Sequence, residues 1–94
     1  MALGFYFTPS GFTRDNYDEA IRQLDAAGAG SPAGRSLHVA LEGDDGTVQV
    51  FDIWESQEAL DAFGPTLGPI LGGLGVEPGQ PTVQLVRNVI GGSA

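Results

Sequence analysis

Two stretches near the middle of the chain alternate apolar and polar positions with period two. They are His38-Val39-Ala40-Leu41-Glu42 and Val48-Gln49-Val50-Phe51-Asp52-Ile53-Trp54, separated by Gly43-Asp44-Asp45-Gly46. Period-two alternation is the mark of half-buried strands, so the pair predicts a β-hairpin. The turn suits a type I geometry closed by a left-handed residue, which Gly46 supplies without a Cβ clash. That three-residue loop pairs Gly43 with Thr47 and, counting outward, His38 with Asp52. A two-residue Asp45-Gly46 loop would shift the register by one and reverse every facing relation. The first register sorts the side chains better. It puts Leu37, Val39, Leu41, Phe51 and Ile53 on one face, and His38, Ala40, Val48, Val50, Asp52 and Trp54 on the other.

The flanks change period. Residues 3–8 read as a strand, and Pro9-Ser10-Gly11 as a turn. Thr13 is placed to cap a helix whose stripe is Tyr17, Ala20, Ile21 and Leu24, with Asp15 in the first turn where the dipole favours it. Glycines and Pro32 end it. After the hairpin, Ser56 caps a second helix with Leu60, Phe63, Leu67, Ile70 and Leu71 on its stripe. Pro65 and Pro69 fall inside this pattern. Because an interior proline removes a donor and crowds the preceding turn, a break is expected at Gly64, with Pro65 opening a new turn. Gly72-Gly73 ends the helix, residues 77–81 form a loop, residues 82–90 form the last strand, and residues 91–94 form a tail.

The order strand, helix, strand, strand, helix, strand is the ferredoxin-like α+β unit, here a single domain over residues 1–94 with a four-stranded antiparallel sheet. Two helices cover one face of such a sheet. The hairpin carries apolar side chains on both faces. Leaving the second face wet would forfeit several kcal/mol at roughly 25 cal/mol per Å². A second copy of the chain is the simplest cover, giving a homodimer in which two sheets form a dimeric α/β barrel.

Composition narrows the partners. The net charge is −8, and the only cations are Arg14, Arg22, Arg35 and Arg87, scattered along the chain. A nucleic-acid groove needs clustered cations, so that partner is excluded. With no cysteine and one histidine, a thiolate or multi-histidine metal site is excluded, and no metal or other cofactor is expected. No apolar run reaches the roughly 20 residues of a membrane span, and the start of the chain lacks a charged signal region. The expected setting is cytoplasmic.

The candidate chemistry sits on the hairpin. In the chosen register His38 and Asp52 are cross-strand neighbours, and the carboxylate would orient the imidazole as a general base requires. A structural hydrogen bond inside the sheet is the other reading. No serine or cysteine nucleophile stands beside the pair. Trp54 would either stack on a planar ligand or fill the strand–helix junction. Tyr6 and Tyr17 would add phenols to the same space. Arg87 interrupts the apolar alternation Val83, Leu85, Val89, and would bind a ligand carboxylate or pair with an acid across the dimer. Gly72-Gly73-Leu74-Gly75 follows a helix instead of preceding one, so it is no phosphate loop.

The run Asp52-Ile53-Trp54-Glu55-Ser56-Gln57-Glu58-Ala59-Leu60 resembles the acidic-x-Trp-Glu-Ser segment of the antibiotic-biosynthesis-monooxygenase family. There the segment joins the third strand to the second helix, and strand order and length also agree. The resemblance implies a dimeric α/β barrel. Its members include cofactor-free oxygenases of aromatic polyketides or quinols, haem-degrading enzymes and proteins without assigned activity. It further implies that Trp54 lines a pocket between sheet and helices, and that Arg87 corresponds to a last-strand arginine of the oxygenases. The family's strand-three asparagine would fall at Val50 and its helix-two tyrosine near Leu60. Its helix-two histidine is replaced near Phe63-Gly64-Pro65. The leading expectation is a protein binding a small apolar or aromatic ligand, with Trp54 as platform and His38 with Asp52 as polar contact. The alternatives are a cofactor-independent monooxygenase using His38 as base, and a structural dimer without ligand. A cavity large enough for a bicyclic molecule favours the first two.

Overall fold

The computed structural model describes residues 2–92. Its elements are β1 (Leu3–Phe7), α1 (Arg14–Ala26), β2 (Arg35–Glu42), β3 (Val48–Trp54), α2 (Gln57–Gly73) and β4 (Thr82–Leu85). They build one four-stranded sheet of order β2-β3-β1-β4 in which every neighbouring pair is antiparallel. This is the ferredoxin-like βαββαβ arrangement. No helix among the described residues is long and apolar enough to cross a membrane.

The hairpin has the three-residue loop. Gly46 N–H donates to the Gly43 carbonyl and Gly43 N–H to that of Thr47, each at 2.9 Å, and Gly46 takes φ +80°. His38 is therefore opposite Asp52. Near the start of β2 the register slips: Arg35 is opposite Trp54, whereas Leu37 is opposite Ile53. This β-bulge at Ser36 moves Arg35 onto the face that His38, Asp52 and Trp54 occupy.

Both helices cover that face. Phe12, Ala20, Val48, Val50, Leu71 and Val76 form one buried cluster, and Phe5, Leu24, Trp54 and Phe63 a second. Thr13 and Ser56 are the caps, their hydroxyls accepting from Asn16 N–H at 3.2 Å and Ala59 N–H at 3.1 Å. The entry to α1 is clipped to the hairpin by Val48 N–H to Phe12 O (2.8 Å) and Arg14 N–H to Gly46 O (3.1 Å).

Two expectations need correction. α2 runs unbroken from Gln57 to Gly73 through both Pro65 and Pro69. The prolines are four residues apart and both exposed, so they share the solvent-facing side of the helix. The carbonyls whose donors they remove, Asp61 and Pro65, lie on that same side, where water replaces the lost bonds. The last strand, expected over residues 82–90, stops at Leu85. Its partner ends first: Leu85 is opposite Leu3, and Val86 N–H makes one more bond, to Ala2 O at 3.0 Å. Among the described residues no further ladder bond joins the two strands. Val89 and Ile90 are 62 % and 84 % exposed.

Gly34 positions the start of β2. It has φ +88°, and a Cβ there would stand 2.7 Å from Ala59 Cβ on α2, while its carbonyl accepts from Glu55 N–H at 2.8 Å. Gly11 has a similar φ of +70° with nothing within 4 Å. Gly11→Ala therefore carries backbone strain alone, of order 1 kcal/mol, and Gly34→Ala carries strain plus a clash. We expect Gly34→Ala to lower the urea midpoint clearly further than Gly11→Ala. Equal midpoints would show that β2 does not rest against α2 at this point.

Candidate functional site

On the helical face of the sheet, four side chains form a continuous hydrogen-bonded chain. Tyr17 arrives from α1 because it leads the apolar stripe that packs on the sheet. His38 and Asp52 arrive from β2 and β3 because the hairpin register puts them opposite each other. Trp54 follows Asp52 by two residues, so it shares the same face. Tyr17 Oη lies 2.7 Å from His38 Nε2, and His38 Nδ1 lies 2.6 Å from Asp52 Oδ1. Trp54 Nε1–H donates to Asp52 Oδ2 at 3.2 Å. The phenol and imidazole rings are parallel to within 3°, with centroids 5.9 Å apart.

With His38 as the neutral imidazole, the donor sequence follows from elementary chemistry. Ionised Asp52 only accepts. His38 must then present Nδ1–H to it, leaving the Nε2 lone pair of the neutral ring to accept the Tyr17 hydroxyl proton. The chain reads Tyr17 O–H to His38 to Asp52, with the indole N–H closing the far oxygen. Asp52 is 7 % exposed and is the buried charged residue among the described positions. No buried polar side-chain atom there lacks a partner.

Beside this chain is an apolar cavity of about 90 Å³ between sheet and helices. Phe7, Phe12, Leu60, Phe63, Leu71 and Val76 supply apolar wall, and Tyr17, Arg35, His38 and Asp52 the polar part. Pro9 and the exposed Pro78 lie on its rim. A cavity of roughly 150 Å³ accommodates benzene. The space is thus too small for the bicyclic molecule envisaged from sequence, and a single ring enters only if the rim gives way.

The candidate residues divide between two faces. His38, Asp52 and Tyr17 line the cavity. Trp54 lies on the same face but behind the wall, fully buried at 0 % exposure against Phe63, ring centroids 5.6 Å apart. It presents no stacking face to the cavity, because Phe63 and Leu24 cover it first. Tyr6 points to the opposite face, where its hydroxyl bonds the Gln49 side chain. Arg87 follows the end of β4 and, with Tyr6, lines a groove of about 320 Å³ on that opposite face. Had the strand continued to residue 87, alternation would have turned Arg87 toward the helices.

Arg35 is the cavity residue that sequence reasoning missed. Its Nη2 donates to Gly30 O at 3.0 Å. Counted along an unbroken strand, Arg35 belongs with Leu37 on the outer face, and the bulge at Ser36 reverses this. The signal was weak: a positive-φ glycine immediately before the strand.

Burial raises the Tyr17 phenol above its usual value of 10.0. The Arg35 guanidinium opposes this shift, and Asp52 and Asp18 reinforce it. At the exposed surface Glu19 is held down to about 2 by hydrogen bonds from Arg22 and Gln23. The Tyr17 shift has a definite sign for stability. A group with a raised folded value stabilises fully below the unfolded value and loses that contribution as pH rises through the folded one. Unfolding free energy of the natural chain should therefore fall more steeply above pH 10 than that of Tyr17→Phe, as read from denaturant midpoints. Identical slopes would mean that the phenol ionises as freely in the fold as outside it.

No protein-family model matches the chain, and no curated protein matches it. Two solved structures share its fold. A Deinococcus radiodurans protein, provisionally designated an antibiotic biosynthesis monooxygenase, has 14 % identity and a TM-score of 0.59, with 100 % of both chains covered. SnoaB, a cofactor-independent oxygenase from Streptomyces nogalater, has 16 % identity and a TM-score of 0.58, covering 95 % of this chain and 94 % of that one. The chain thus has, over essentially its whole length, the ferredoxin-like fold of these monooxygenase-like proteins.

Proposed function

We propose that this chain binds a small, largely apolar or aromatic ligand of about one ring in the sheet–helix cavity. The Tyr17 hydroxyl oxygen meets the ligand's polar group, His38 holds that hydroxyl in place, and Asp52 orients the imidazole. The observation that carries the reading is the pairing of a fully hydrogen-bonded Tyr17–His38–Asp52 chain, half-buried at Tyr17 and His38 and buried at Asp52, with an otherwise apolar cavity at its side. A core serving packing alone is better filled by aliphatic side chains, since buried polar groups add stability only when every bond is made.

The test is phenol titrated into the ¹⁵N-labelled chain. Shifts should gather at Phe12, Leu71 and Val76, and both His38→Ala and the ring-preserving Tyr17→Phe should weaken binding about tenfold, the loss of one hydrogen bond. Absence of saturable shifts in the natural chain would leave the structural dimer without ligand as the reading.

A second reading is a cofactor-independent monooxygenase acting on an aromatic or quinol substrate. It is favoured by the fold shared with SnoaB and by an imidazole whose Nε2 accepts a proton through Tyr17. Here the chain would take a phenolic proton, and the resulting electron-rich anion would react with oxygen. Oxygen uptake with dihydroxybenzenes, abolished in His38→Ala, distinguishes the enzyme from the binder.

Homodimerisation through the uncovered sheet face completes the proposal. Leu37 and Leu41 are 39 % and 51 % exposed, and Phe51 beside them is half-buried. Phe51 lies so close over β1 that a Cβ on Gly4 would meet its ring at 3.1 Å, which flattens this face for a second sheet. Sedimentation velocity should give a dimer at micromolar concentration, and Leu37→Asp combined with Leu41→Asp should give a monomer. A monomeric natural chain would contradict the barrel.

A further inference from the structure

The geometry points to Arg35 as an anion-recognising residue: the cavity's ligand carries a carboxylate, which the Arg35 guanidinium holds at the polar end while the ring lies against the apolar walls. This rests on the cavity reading above and names the chemical class that the cavity selects.

The argument begins with charge accounting. Twelve acidic residues face four arginines in this chain. Arg14 is paired with Glu42 and Arg22 with Glu19. Arg35 has no carboxylate within salt-bridge distance among the described residues, although acids outnumber arginines threefold. The single hydrogen bond of its side chain among the described residues is Nη2 to Gly30 O. A guanidinium has five donors in a planar fork, so most of the fork is unused by the protein. The nearest acid in the cavity, Asp52, is already engaged through both oxygens, by His38 and by Trp54. The protein therefore keeps a half-buried cation on the cavity wall and supplies it with no counter-ion.

Placement argues the same way. A long, charged side chain at a strand start would ordinarily extend to water. Here a bulge turns Arg35 inward, and a left-handed glycine at position 34 lets the strand approach α2 closely enough to hold it there. Two backbone departures in succession thus serve to put this one cation beside Tyr17. A carboxylate can take two parallel N–H bonds from the fork. A neutral amide of the same shape offers one acceptor and an opposing NH₂ group, so it loses the second bond and meets like donors.

The experiment compares benzoate with its near-isostere benzamide, titrated into the ¹⁵N-labelled full chain at pH 7. Benzoate should bind at least tenfold more tightly to the natural chain. Arg35→Gln should remove that preference by weakening benzoate while leaving benzamide within a factor of two. Arg35→Lys, which keeps the charge without the fork, should restore part of it. A dispersed amide spectrum identical outside the cavity shows that each variant is folded. Equal binding of benzoate and benzamide by the natural chain, or a benzoate preference that survives in Arg35→Gln, overturns the role of Arg35 while leaving the cavity reading intact. Failure of phenol, benzoate and benzamide alike overturns both.

Discussion

A carboxylate held at 7 % exposure in so small a domain is stable only if both oxygens are bonded, because an unpaired buried charge costs several kcal/mol. Asp52 meets that condition with one neighbour across the sheet and one two residues along its own strand. Each bond dictates something further. The indole must lie over the strand with its N–H turned back, which fixes Trp54 in the core and gives Phe63 its packing surface. The imidazole must present Nδ1, which leaves Nε2 looking at α1. Tyr17 then has a partner only if α1 lies at the depth and rotation observed. One buried charge thus couples the hairpin register to the seating of a helix.

This coupling explains why the polar chain and the cavity occur together. Tyr17 belongs to the stripe that packs α1 on the sheet, yet its hydroxyl is committed to His38. The helix cannot settle deeper without breaking that bond, and the aromatic wall of Phe12 and Phe63 cannot close over the polar groups without desolvating them. Space remains between the two. The cavity is a by-product of satisfying the polar chain, and it is available for a ligand for the same reason.

Much of this was legible in the sequence because it follows from period and register. The turn residues Gly43 to Gly46 determine which residues of the hairpin face each other, so His38 opposite Asp52 could be read directly. Thr13 and Ser56 announced both helix starts. What escaped depended on events that alternation does not encode. A bulge at Ser36 reverses the face of Arg35, and nothing in the side chains of β2 signals it. β4 stops where its described partner β1 stops, a property of another part of the chain, so the strand expected to reach residue 90 ends at Leu85 and Arg87 lies beyond it. The prolines of α2 were judged one at a time as interior breakers. Their four-residue spacing keeps both on the wet side, where a missing donor costs little. Trp54 was correctly placed on its strand face, but whether a ring lines a cavity or is sealed behind another ring is decided by packing depth.

The two faces of the sheet are left with different tasks. The helical face satisfies its own polar groups with the exception of one cation, and the outer face carries the Tyr6–Gln49 hydrogen bond beside exposed apolar side chains. Tyr6, Leu37, Phe51 and Arg87 border a groove there, and its apolar members gain nothing from water. Covering this face with a second sheet would brace β2 and β3 from behind. The His38–Asp52 pair spans those same two strands, so the precision of the site depends on how rigidly they are held together. A hairpin at the edge of a small sheet has only one flanking strand to restrain it. Association through the outer face would therefore act on the inner site without contributing a residue to it: a stiffer hairpin holds the imidazole against Tyr17, and a looser one lets the chain of hydrogen bonds open to solvent.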